Sequence, residues 1–160
     1  ISMVAEIAAW AREQGKNLFE LLQDIYISIG FSQEKMKYIV RKGKSGAEEI
    51  EAIMKKFRST PPKELAGSKV SVVKDFSVLK ALNPQTGETS EITDKPTTSN
   101  VLQFFTEDGS KVSVRPSGTE PKIKFYFEVK GVLESREKFN ETSEKALAKI
   151  DKIMEDMEVE

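Results

Sequence analysis

The stretch Val101-Leu102-Gln103-Phe104-Phe105-Thr106-Glu107-Asp108-Gly109-Ser110-Lys111-Val112-Ser113-Val114 carries two runs of strand-favouring residues around an Asp-Gly pair. Residues 101–105 and 111–114 read as strands joined through Glu107-Asp108-Gly109, a turn that tolerates positive φ. Downstream, Ile123, Phe125, Phe127 and Val129 alternate along a further strand and give it one apolar face. Lys122, Lys124 and Tyr126 fall on its other face. Consecutive strands with short links imply an antiparallel sheet.

The pattern extends upstream. Residues 70–76 read as a strand, and Met36, Tyr38 and Val40 alternate with Lys37, Ile39 and Arg41 in another, ending in a Gly43-Lys44 turn. Between 57 and 70 a helix is stopped at Ser59-Thr60-Pro61-Pro62. Before that stop, Ile50, Ile53, Met54 and Phe57 form a helical core face behind the capping-box sequence Ser45-Gly46-Ala47-Glu48. Lys55, Lys56 and Arg58 suit the negative end of that helix. The stretch 83–100, rich in Thr, Ser, Pro and Asn, reads as a long loop. A last helix has Ser135 as its cap and Phe139, Ala146, Leu147, Ile150, Ile153, Met154 and Met157 as its stripe. From Phe31 the order is strand, helix, three or four strands, helix. The fold class is α+β, an antiparallel sheet of four or more strands with helices packed on one face.

Residues 1–30 read as two helices. The first carries Met3, Val4, Ile7, Ala8 and Ala11, with Ser2 as its cap and Gly15 as its stop. The second opens at Asn17, with Glu20 in capping-box position, and buries Leu18, Leu21, Leu22, Ile25, Tyr26 and Ile29 before Gly30. Such stripes need a partner surface, as at the edge of a domain cut from its neighbour. The start Ile1-Ser2-Met3 also fits a piece of something longer, and Trp10 fits a packing residue of that parent interface.

Composition narrows the function. With 160 residues the chain is long enough for one sound core. Its 25 Lys+Arg against 26 Asp+Glu give a net charge of −1, without the basic excess of a dedicated nucleic-acid binder. No apolar run approaches the ~20 residues of a membrane span, and no signal-peptide pattern opens the chain. Cysteine and histidine are both absent. Thiolate and Ser-His-Asp catalysis therefore cannot operate with these residues, and any general base is a carboxylate or a lysine. Arg41, Lys42 and Lys44 read as a solvated turn rather than an anion or RNA contact.

One segment concentrates chemistry: Arg115-Pro116-Ser117-Gly118-Thr119-Glu120-Pro121-Lys122, between two predicted strands. A guanidinium meets a phosphate with two parallel hydrogen bonds, and Ser and Thr hydroxyls rotate to donate. Gly118 allows close backbone approach, so that successive N–H groups form an anion-binding concavity. The same residue types also make a plain stiff loop, with Arg115 solvated or paired with Glu120.

From Arg115 through Lys124 the sequence resembles the phosphate-binding loop of the α-D-phosphohexomutases, the phosphoglucomutase/phosphomannomutase family. The likeness extends through Gln103–Gly109 and the following strand. Residues 31–160 are similar to the family's C-terminal, TATA-box-binding-protein-like domain, and 1–30 to the closing helices of the preceding sugar-binding domain. The long segment between Phe76 and Val101 is similar to the phosphoglucomutase/phosphopentomutase branch. The resemblance implies that Arg115, Ser117, Gly118 and Thr119 contact substrate phosphate, with Lys124 as a second basic residue and Glu120 fixing the loop. It implies a parent that interconverts sugar 1- and 6-phosphates (or 1- and 5-phosphates of pentoses) through a bisphosphate.

Such a parent uses an active-site phosphoserine, Mg²⁺ and a sugar bisphosphate activator. This chain holds neither the nucleophile's Thr-Ala-Ser-His-Asn-type setting nor an Asp-x-Asp cluster. Gly87-Glu88-Thr89-Ser90 is only faintly similar to the family's sugar loop and reads as a turn. The expectations are therefore no catalytic or metal-binding residue here, no cofactor bound by this chain, and no activity of the chain alone. Its partners are a phosphosugar and the parent's remaining domains, without nucleic acid or membrane, in the cytoplasm. A hinge near residues 30–44 would close the domain over a cleft. The competing reading is a stand-alone binding module that uses its sheet for nucleic acid or a protein.

Overall fold

The computed structural model describes residues 1–41, 43–93 and 97–159, with only the backbone of Lys44. Two helices, α1 (Ser2–Glu13) and α2 (Leu18–Ile29), precede strand β1 (Phe31–Val40) and helix α3 (Gly43–Ser59). Then come β2 (Glu64–Leu65), β3 (Ser68–Asp75), β4 (Lys80–Leu82), β5 (Thr89–Glu91), β6 (Leu102–Thr106), β7 (Lys111–Pro116) and β8 (Lys122–Gly131). A 3₁₀ turn at Arg136–Lys138 leads into α4 (Phe139–Asp156). The sheet runs β1-β8-β7-β6-β3-β4-β5, with β2 beside β3, and every pairing is antiparallel. The class read from the sequence is the one observed, α+β.

One face of the sheet carries the core. Ile123, Phe125, Phe127 and Val129 of β8 are all at most 2% exposed, as their alternation requires. They meet Ile50, Met54 and Phe57 of α3 and Ile150 and Ile153 of α4 in a single cluster. Phe57 packs edge-on against Phe104 and Phe125, with ring centroids 5.8 and 6.2 Å apart. Each such phenyl contributes roughly 1.5–3 kcal/mol by leaving water. The opposite face is uncovered. Met36, Tyr38, Val40 and Tyr126 stand on it, 51, 54, 46 and 41% exposed.

Helix α2 is tied to this body twice. Tyr26 meets Phe31 edge-on at 5.1 Å, and Phe19 meets Phe139 at 5.0 Å. Arg136 donates from Nη2 to both carboxylate oxygens of Asp24 at 2.6 Å. The Asn17–Glu20 capping box is formed, with both reciprocal bonds under 3.0 Å. By contrast, of the apolar stripe of α1 Ala11 is buried while Met3, Val4 and Ile7 are exposed, and Trp10 is 53% exposed.

Several local readings are corrected. Ser2 lies within α1, whose N-cap is Ile1, so its hydroxyl caps nothing. Helix α3 is bounded at Gly43, whose φ of 82° gives the chain its turn there, so Ser45 sits inside the helix's first turn rather than ahead of it. The supposed long loop holds a short hairpin: Thr89–Glu91 pairs with Lys80–Leu82, and Gly87 at φ 78° makes the turn between them. Of the anticipated basic turn, Lys42 lies outside the described residues, and Arg41 pairs with Glu49 at 3.1 Å. Ser135 precedes the 3₁₀ turn rather than capping α4.

The β6–β7 turn is held by one carboxylate. Asp108 Oδ1 accepts from the hydroxyls of Thr106 at 2.7 Å and Ser110 at 2.8 Å, while Oδ2 accepts from Lys149 of α4. Gly109 adopts φ 82° as the turn demands. Burial alone would push the Asp108 carboxyl up, but the Lys149, Thr106 and Ser110 hydrogen bonds outweigh it and hold it far below the usual range. A carboxylate depressed in the folded state stabilises fully above its unfolded pKa, near 3.8, and loses that contribution as pH falls further. Asp108→Asn is therefore expected to lower the thermal midpoint at neutral pH and to flatten its decline below about pH 4. Melting curves at stepped pH check this; a parallel decline in both proteins contradicts it.

Candidate functional site

The segment singled out by its chemistry is the β7–β8 connection. Strand β7 ends at Pro116, and β8 resumes at Lys122. The Ser117 N–H donates to the Lys122 carbonyl at 2.8 Å, and the Lys122 N–H to the Glu120 carbonyl at 2.7 Å. The Arg41 N–H, at the end of β1, donates to the Pro121 carbonyl at 2.9 Å. Those three bonds fix the bend from both flanking strands. They also amend the expected concavity, because the Ser117 N–H is spent on closing the loop. Among the described residues, the N–H groups of Gly118, Thr119 and Glu120 meet no backbone acceptor.

Arg115 and Lys124 are brought together. The register pairs them directly across β7 and β8, on the uncovered face of the sheet. Like charges so opposed destabilise a ladder unless a counter-charge intervenes. Other cations along this region have one: Lys122 pairs with Glu120, Lys111 with Glu128, and Arg41 with Glu49. Among the described residues Arg115 and Lys124 have no carboxylate partner. Arg115 is neither core-locked nor paired with Glu120. The ammonium of Lys122 holds the Glu120 carboxyl below its usual range, and Lys124 adds to that field. Glu120 thus forms its ion pair with Lys122, and neither Arg115 nor Lys124 shares it.

Ser117 is half-buried, while Gly118 and Thr119 are exposed at the tip. Gly118 does not use the left-handed region, and a Cβ there would meet nothing within 4 Å. Its lack of a side chain serves no turn; it leaves the adjacent amides open. Behind the loop a cavity of about 340 Å³ lies against α3, between Pro116, Ser117 and the side chains of Ile50, Met54 and Arg58. Arg58 is itself engaged by Asp75 at 2.9 Å and Asn100 at 2.6 Å. The cationic side of the loop is therefore the face away from the helices.

Sequence reading missed two features of this site. One is the Arg41 amide that anchors Pro121. The other is the strand parity that puts Tyr38 opposite Lys124 in the ladder. The signal was available in the alternation of β1 and β8, but only a register links them.

The family model described as "Phosphoglucomutase/phosphomannomutase, C-terminal domain" matches residues 36–157. The chain belongs to the phosphoglucomutase/phosphomannomutase family. A phosphoglucomutase of Staphylococcus aureus strain bovine RF122 / ET3-1 is 34% identical over 130 residues, covering 81% of this chain and 23% of that protein. Its counterpart from strain MRSA252 is 35% identical over the same length. Among solved structures, the open form of the Paramecium exocytosis-sensitive phosphoprotein pp63/parafusin aligns over 89% of this chain and 23% of its own. That alignment has 17% identity and a TM-score of 0.48. The chain thus spans under a quarter of the curated relatives it matches.

Among the described residues, no three His, Cys, Asp or Glu side chains group to hold an ion. Nor is any described helix long and apolar enough to cross a membrane.

Gly118→Ala separates approach from folding. The methyl enters open space, so stability is expected to move by less than about 0.5 kcal/mol. Anion affinity should fall several-fold because the methyl crowds the free amides. Thermal melts and a phosphate titration of the variant check both; a lost fold or an unchanged affinity contradicts the argument.

Proposed function

We propose that this chain is the substrate-phosphate anchor of a phosphoglucomutase/phosphomannomutase-type intramolecular phosphotransferase. In this reading residues 1–30 close the preceding sugar-binding domain, and 31–160 form the C-terminal phosphate-binding domain. The parent converts sugar 1-phosphate to 6-phosphate through a bisphosphate, working in the cytoplasm. The observation that carries the reading is the pair Arg115–Lys124, two cations opposed across a ladder, neither of them in a salt bridge among the described residues. A dianion seated there replaces repulsion by two charge-assisted contacts.

Arg115 supplies a planar fork of donors, and Lys124 a compact ammonium on the same face. The Ser117 and Thr119 hydroxyls and the Gly118 and Thr119 amides close round the remaining oxygens. The group held is the phosphate remote from the reaction. Holding it orients the far end of the sugar and spends binding energy on the transition state. Such a grip ignores which sugar carries the phosphate, so substrate choice lies with other domains. The nucleophile and any Mg²⁺ belong to the rest of the parent, and the chain alone is inactive. The bisphosphate activator docks at the same loop.

A backbone-amide NMR titration with glucose 1,6-bisphosphate tests this. Ser117, Gly118 and Thr119 are expected to shift first, and Arg115→Ala to weaken binding at least about tenfold. Shifts centred elsewhere, or unchanged affinity in the variant, refute the proposal.

A further inference from the structure

The row of the ladder that contains Arg115 and Lys124 has a third member. Tyr38 of β1 is the direct partner of Lys124, which is the direct partner of Arg115. All three side chains therefore rise from the same face, with Lys124 in the middle. Tyr38 and Arg115 stand two strand spacings apart, about 10 Å, one on each side of the ammonium. Both are long enough to lean over their neighbour, as aromatic and extended side chains do across adjacent strands.

Its surroundings leave the phenol available. Tyr38 is 54% exposed, and among the described residues its hydroxyl has no hydrogen-bond partner. The residues that flank it on the same face of β1, Met36 and Val40, are apolar. They bring no charge or hydrogen-bonding group to the ring. The nearest carboxylate on this face of β1 is Glu34, two rows away opposite Glu128, where Lys111 balances the charge. At the other end the Arg41 amide ties β1 to the loop through Pro121, so β1 and the anion loop keep a fixed spacing.

We propose that the Tyr38 hydroxyl is a further phosphate ligand of this site, donating a hydrogen bond to the anion held over Lys124 on the side away from the loop. The inference rests on the anchor reading above and adds a neutral donor to its cationic pair. The neutral donor has a specific use. A third cation would deepen the repulsion of the empty site, whereas a phenol contributes directionality without charge. It also caps the oxygen that neither the loop amides nor the guanidinium face.

The test is a titration of the chain and of Tyr38→Phe with inorganic phosphate and with glucose 1-phosphate, Arg115→Ala serving as the reference. Phenylalanine keeps the ring, so the fold is expected to be unchanged, as an amide spectrum altered only near residue 38 would show. The dissociation constants of both ligands should rise about tenfold in Tyr38→Phe. Unchanged affinities in Tyr38→Phe, with binding lost in Arg115→Ala, overturn the Tyr38 assignment and leave the anchor standing. A loss confined to glucose 1-phosphate also overturns it, since the phenol then serves the sugar. Binding unaffected by either substitution removes the anchor, and this inference with it.

Discussion

The β7–β8 pairing is the constraint on which the site depends. Val114 opposite Phe125 and Val112 opposite Phe127 face the core, so slipping the register by one would turn those side chains into water. The same register obliges Arg115 to face Lys124. Core packing thus imposes an electrostatic cost at one edge of the ladder, and the chain does not offset it there. Several neighbouring cations do have carboxylate partners: Lys111 with Glu128, Lys122 with Glu120, Arg41 with Glu49, and Arg58 with Asp75. Two cations held face to face by the register, without an ion-pair partner among the described residues, suit an anion site before its ligand arrives.

Rigidity comes from three directions. The loop closes on itself through Ser117 and Lys122, is held to β1 through Arg41, and rests on α3 across a small cavity. At the far end of β7, the Asp108 turn pins the hairpin to α4. The helices lie wholly on one face, so the cations stand clear on the other. Helix α2 is joined to this body by Asp24–Arg136 and by aromatic contacts, while Met3, Val4 and Ile7 of α1 stay exposed. That exposure is in keeping with a chain that covers only part of its relatives' length.

Much of this was legible in the residues. Alternation in Ile123–Val129, the Asp-Gly turn and the stripes of α3 and α4 each dictate one element, and together they give the α+β class. The loop stands out by its chemistry, and the family resemblance supplies the role proposed for it. What was not legible depends on pairing. No local pattern says that residues 89–91 return to 80–82, because Thr-Ser-Glu has weak strand preference and gains its hydrogen bonds only from a partner. Helix α3 starts at Gly43, two residues ahead of the Ser45 capping-box sequence. Tyr38 was invisible as a site residue for the same reason: alternation gives a face, but only the register gives a neighbour.

A crystal of this chain soaked with glucose 1-phosphate tests the central claim most directly. The account predicts a tetrahedral density over the Arg115–Lys124 pair, within hydrogen-bond distance of the Gly118 and Thr119 amides. A phosphate seated instead among the lysines along α4, with the β7–β8 loop empty, would contradict it.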